Sequence, residues 1–166
     1  MRKLLVSAAM LTATCALAQS AEVLVAGRVD KIALLPSGTD ACPRVCPQIA
    51  TPLPNGGTHV CISNDCGCQV TDIKVDQLLL GTDPGAVLQV TSRLGEWCKP
   101  TFPISDSPLL VHLRNGTARW SLLDTQQAAR RFDAKPFDTI GKVRVDTLTH
   151  DGGKVRLDEL IERLAK

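Results

Sequence analysis

Apolar and polar side chains alternate with a period of two over several stretches of this chain. Between 22 and 35, Val23, Val25 and Val29 share one parity with Gly27 among them, while Arg28 and Asp30 take the other. Alternation of β-branched residues predicts a half-buried strand, and an internal glycine marks a bulge or a close backbone approach. A second strand is predicted over 68–80, where Ile73 and Val75 alternate with Asp72, Lys74 and Asp76; Gly81 and Asp83-Pro84-Gly85 then turn the chain. A third, 86–93, places Leu88 and Val90 on one face. The sharpest local signal is Asn115-Gly116 between 109–114 and 117–122. Both central positions of a two-residue type I′ turn need positive φ, which this pair tolerates. The turn sets His112 opposite Arg119 and Val111 opposite Trp120. One face then collects Leu109, Val111, Leu113, Ala118, Trp120 and Leu122, and the other His112, Arg114, Thr117, Arg119 and Ser121. Asn115-Gly116-Thr117 also reads as an N-glycosylation acceptor in a eukaryotic host.

Beyond the hairpin the period changes. Residues 124–132 are expected to form a short helix capped by Asp124 or Thr125, and 142–148 a strand closed by His150-Asp151-Gly152-Gly153. Leu157, Leu160, Ile161 and Leu164 recur at helical spacing and predict an amphipathic terminal helix packed on the domain. Two stretches resist regular structure: 36–66, with Pro36, Pro43, Pro47, Pro52, Pro54 and Gly56-Gly57, and 96–108, with Pro100, Pro103 and Pro108.

The first residues read as an address. Arg2 and Lys3 precede the apolar run 4–11, which ends in Ala16-Leu17-Ala18, the layout of a secretory signal peptide over 1–18 with a mature start at Gln19. The run is too short for a permanent span, which needs roughly 20 apolar residues, and no later stretch supplies one. A lipid-bearing Cys15 is the alternative, poorly served by Leu11-Thr12-Ala13-Thr14. Removing the leader takes the formal charge from +2 to zero and the cysteines from seven to six. A neutral chain has no global field to draw it onto nucleic acid or an anionic membrane. We expect an exported protein, periplasmic or secreted, with the periplasm favoured.

Cys42, Cys46, Cys61, Cys66, Cys68 and Cys98 remain, and an even count behind an export signal reads as a disulfide framework. The pairing stays open among fifteen possibilities. Cys98 is expected to tie a later strand to the cluster, and Cys66 not to bond Cys68, since alternate residues of an extended chain rarely meet bridge geometry. The rival is a thiol and imidazole metal site built from Cys42, Cys46, His59, Cys61, Cys66 and Cys68, a donor set suited to zinc or Cu(I). The spacing lacks paired C-x2-C, and an oxidising compartment consumes thiols. A Cys61–His59 nucleophile pair lacks an orienting group, and a hydrolase lacks a G-x-S-x-G elbow or an H-E-x-x-H helix.

The fold class expected is mainly β: a small disulfide-stabilised barrel over 19–123 carrying the Cys/Pro-rich loop 36–66, then a strand and C-terminal α-helix extension over 124–166. Val23-x-Val25-x-Gly27-x-Val29, Ile73-Lys74-Val75-x5-Gly81, a third strand ending near Cys98, and Leu109-Leu110-Val111-x-Leu113 resemble, in that order, the netrin-like OB-fold domains that include the tissue inhibitors of metalloproteinases. The resemblance covers 22–122 and implies a closed five-stranded OB-like barrel, held by disulfides, that binds proteins. Those inhibitors carry Cys-x-Cys at the mature N-terminus, whereas Cys66-Gly67-Cys68 lies inside this chain, so inhibition by that route is not implied. Nucleic-acid binding on an OB-fold needs a basic groove and aromatic platforms; the strands between 22 and 93 hold no aromatic residue. The small polar patch of His112, Arg114 and Arg119 could grip an anion, although such a group is ordinarily a solvated strand face. The function expected is a non-enzymatic binding protein with a protein partner and no cofactor, with periplasmic metal binding or hydrolysis as the alternatives.

Overall fold

The structure, a computed structural model, describes residues 22–46, 51–52, 54–59, 61, 66–125 and 129–166. The expected leader over 1–18, Cys15 and the mature start at Gln19 lie outside them. In chain order the strands are β1 (Val23–Leu35), β2 (Thr51–Pro52), β3 (Thr58–His59), β4 (Cys68–Leu80), β5 (Val87–Arg93), β6 (Leu109–Arg114), β7 (Thr117–Leu122), β8 (Arg131–Asp133), β9 (Thr139–Ile140), β10 (Val143–Arg144) and β11 (Lys154–Arg156). One helix, α1 (Leu157–Leu164), follows. The fold is mainly β. Its centre is a five-stranded antiparallel sheet in the order β5-β4-β1-β6-β7.

The long strands β1 and β4 pair along their whole length, with register shifts at Leu24/Val25, Ala26/Gly27 and Val29/Lys31. Gly27 sits at one of them because the chains come too close for a side chain: a Cβ there would lie 2.4 Å from the Lys74 carbonyl oxygen. The hairpin has the register that its turn demands, Arg114 opposite Thr117 through Leu109 opposite Leu122, with Asn115 at φ 51° and Gly116 at φ 73°.

Both faces of the sheet's centre are covered. Val23, Val25, Ile73, Leu88, Val90, Leu109 and Val111 form one apolar cluster around Phe102. Leu24, Ala26 and Leu110 point the other way, into a second cluster with Phe132, Phe137, Ile140, Val145, Val155, Leu157 and Leu160. The stripe on α1 therefore packs where its spacing directs it. The same cover corrects part of the expectation of a solvated face on the hairpin: His112 and Ser121 are buried beneath the C-terminal segment, whereas Arg114, Thr117 and Arg119 are exposed.

The barrel does not close. Among the described residues no ladder joins the edge strands β5 and β7. The loop between β5 and β6 bridges them with side chains instead. Thr101 bonds Ser92 of β5 through its hydroxyl, and its carbonyl accepts the Trp120 indole N–H of β7 at 2.7 Å. Phe102, 2% exposed, is stacked on Trp120 with ring centres 5.8 Å apart. Gln69 of β4, fully buried, secures the loop from below. Its Oε1 accepts the N–H of Thr101 (2.7 Å) and of Phe102 (3.4 Å), while its Nε2 donates to Thr71 Oγ1 (3.0 Å). Phe102 thus packs in one apolar cluster with Leu88 and Val90 of β5 and Trp120 of β7.

The C-terminal expectations need two corrections. The helix over 124–132 is absent from its described part: Asp124 bridges Arg131, and 131–133 is β8, paired with β11. Phe132 alternates inward between Arg131 and Asp133, and the tertiary ladder wins over a weak local helix signal. Residues 126–128 lie outside the described set. The strand over 142–148 is only Val143–Arg144, followed by a 3-10 turn, Val145–Leu148. Val145 and Leu148, three apart, both bury, which is the spacing of one 3-10 face.

Candidate functional site

The six cysteines among the described residues are oxidised, as Cys42–Cys68, Cys46–Cys61 and Cys66–Cys98. Cys98 does reach back to the cluster, and Cys66 and Cys68 take different partners. Gly67 makes this divergence possible, because at φ 93° a Cβ would fall 2.1 Å from the Leu35 carbonyl oxygen. Of the alternative metal set, Cys42, Cys46, Cys61, Cys66 and Cys68 are thus sulfurs in bridges with no thiolate to offer. The backbone of His59 pairs with Thr51 in the β2–β3 ribbon. Among the described residues no group of three or more His, Cys, Asp or Glu converges to hold a metal. Three disulfides belong to an oxidising, extracellular-type environment, and no helix among the described residues is long and apolar enough to cross a membrane.

Two surface features have the character of sites. The first is the loop from Leu94 to Pro108. Gly95 N–H donates to Lys99 O (2.9 Å) and Cys98 N–H to Gly95 O (3.1 Å), so the loop turns sharply on itself. Trp97 and Cys98 both take left-handed backbone, φ 60° and 57°. That conformation costs an L-residue about 1–2 kcal/mol, and here it is pinned by the Cys66–Cys98 bridge on one side and the buried Phe102 on the other. The result is an indole 88% exposed, with Ile104, 85% exposed, further along the same loop. Pro100, Phe102, Pro103, Ile104 and the half-buried Trp120 line an apolar depression of about 430 Å³.

The second is a polar cleft of about 270 Å³ between the tip of the β6–β7 hairpin and the segment 136–141. Its floor is His112, 4% exposed, whose Nε2–H donates to Glu22 Oε1 at 2.7 Å. The same oxygen accepts the Gly141 N–H at 2.7 Å. Burial alone would raise the Glu22 pKa. The Gly141 N–H, the His112 hydrogen bond and charge, and the Arg114 charge outweigh it and hold this carboxyl below the ordinary glutamate range. Across the cleft the Arg119 Nη1 donates to Pro136 O (3.1 Å) and to Asp138 Oδ2 (2.5 Å).

The sequence placed His112, Arg114 and Arg119 on one face, and the structure brings them together at this cleft. It did not point to Glu22 or Asp138, which arrive from distant parts of the chain. Nor did it single out Trp97 or Gln69. The one local hint for Trp97 was a large aromatic next to a cysteine in a proline-punctuated loop. The one hydrogen bond that the His112 side chain makes among the described residues is to Glu22. No protein-family model, no curated protein and no solved structure matches this chain.

Proposed function

We propose that this chain is an exported, non-enzymatic binding domain of the periplasm that docks a protein through the loop 94–108, with Trp97 as the anchor. The observation that carries the reading is an indole almost wholly in water, on left-handed backbone, beside a disulfide. Tryptophans dominate binding hot spots when they enter a desolvated pocket. An anchor whose loop is already fixed loses little conformational entropy on docking, which is how preorganisation raises affinity. The occupant is a protein that offers an indole-sized apolar pocket, whose rim would rest on Ile104 and the prolines. The leader at 1–18 and three disulfides support the compartment, and the netrin-like resemblance, a family that acts by binding proteins, supports the mode.

The test is photo-crosslinking from position 104 in the native envelope fraction, followed by affinity measurement on the purified pair. Trp97→Ala is expected to weaken that pair by more than about 30-fold, the loss of some 2 kcal/mol at a hot spot, with Val87→Ala as the neutral control. Wild-type affinity for Trp97→Ala, or crosslinks only to a second copy of the chain, would overturn the reading.

A further inference from the structure

The polar cleft at the hairpin tip is independent of the docking loop, and its chemistry is different. The type I′ register puts Arg114 opposite Thr117 and His112 opposite Arg119. Residues two apart on a strand share a face, so these four form a grid with three basic side chains and one hydroxyl. The opposite wall is held in place, because Arg119 ties itself to the Pro136 carbonyl and the Asp138 carboxylate. Both of those bonds leave from one terminal nitrogen, and the other donors of the Arg119 fork are not engaged by described residues. Arg114 makes no hydrogen bond or ion pair with a described residue. The hydroxyls of Thr117 and Thr139, which also line the cleft, have no described protein partner either.

Of the two carboxylates, Glu22 accepts from both His112 and Gly141 through Oε1, and Asp138 accepts from Arg119 through Oδ2. Beside the remaining oxygens of these two carboxylates, the cleft has donors in excess: one guanidinium without a described hydrogen bond, part of a second, and two hydroxyls. Guanidinium forks match the paired oxygens of carboxylates and phosphates, and hydroxyls complete such shells. At about 270 Å³ the space lies below the range of drug-sized pockets. We infer that this cleft binds a small oxyanion, a carboxylate or a phosphate, gripped by Arg114 with Arg119, Thr117 and Thr139 as further donors.

The experiment is an amide-shift titration of the whole mature protein with sodium acetate and, separately, sodium phosphate, at ionic strength held constant with sodium chloride. Saturable shifts are expected at Arg114, Thr117 and Thr139, with loop 94–108 unmoved. Arg114→Ala should weaken binding at least tenfold, and Thr117→Val by severalfold. Arg114 is exposed, and an unchanged melting temperature will show that its variant folds. Saturation by acetate alone assigns the site to carboxylates, by phosphate alone to phosphates, and by both to oxyanions in general. Shifts that never saturate, that sodium chloride reproduces, or that persist unaltered in Arg114→Ala would overturn the assignment.

Discussion

Gln69→Leu isolates the way in which a side-chain bridge replaces barrel closure. Leucine nearly conserves the volume, so no large cavity opens and the change is in polar pairing alone. The substitution removes the acceptor of the Thr101 N–H at 2.7 Å and of the Phe102 N–H at 3.4 Å, and the donor to Thr71 Oγ1 at 3.0 Å. A buried donor left without a partner costs about 1–3 kcal/mol. The two N–H groups share one oxygen, so their costs do not simply add, and the leucine recovers a little by its own burial. A net loss of about 2–4 kcal/mol follows from those magnitudes. The chain has two tryptophans and no tyrosine, which makes the assay clean. In a Trp97→Phe background, Trp120 is the sole strong fluorophore, and its indole bonds the same Thr101. Urea titration should show the lost stability, and native emission should shift to the red as the bridge loosens. A loss below about 0.5 kcal/mol, the range of neutral surface changes, together with unshifted emission, would refute this account of the loop.

Three further outcomes test other parts of the fold. Glu22 has a depressed folded-state pKa, so its stabilisation is present above the unfolded value and is lost as pH falls through the folded one; Glu22→Gln should flatten the acid side of a stability profile measured between pH 7 and 3. Leu160→Ala, at a fully buried position of α1, should cost about 2–5 kcal/mol and speed amide exchange across 157–164. Replacing Cys66 and Cys98 together by serine opens a loop closed over 32 residues, worth about 3–4 kcal/mol in chain entropy, and should free Trp97 from its left-handed backbone, read as a fall in its fluorescence anisotropy.

What was legible in the sequence was what local chemistry dictates. Asn115-Gly116 alone settles six cross-strand pairs, because a turn with two positive φ values leaves one register. The stripe on 157–164 needed only helical spacing. The boundaries of β4 and β5 followed from alternation ended by Gly81 and by the proline loop. The failures have a common origin in distance along the chain. Val23 through Gly27 are buried on both faces, yet their alternation with later charges reads as a strand with one wet side, because the segment that covers the second face lies a hundred residues away. Phe132 reads as a helix residue until Val155 stands opposite it in a ladder. Gln69 looks like an ordinary polar strand position, since its worth depends on where Thr101 arrives. The candidate cleft was half legible for the same reason: its basic face came from one hairpin, and its acidic wall from two remote segments.

The interleaving of two bridges at Cys66-Gly67-Cys68 sets a problem for biosynthesis. Because Cys42 must find Cys68 while Cys98 must find Cys66, exchanging the two partners would also oxidise every thiol, and an oxidant alone has no means of rejecting that isomer. Rejection falls to the polypeptide: with Cys68 pulled out of the first rung of β4, opposite Leu35 and Arg93, the sheet could not zip to its end. Maturation should accordingly be limited by reshuffling rather than by oxidation, and yield in a host should track the supply of a disulfide isomerase more closely than that of an oxidase.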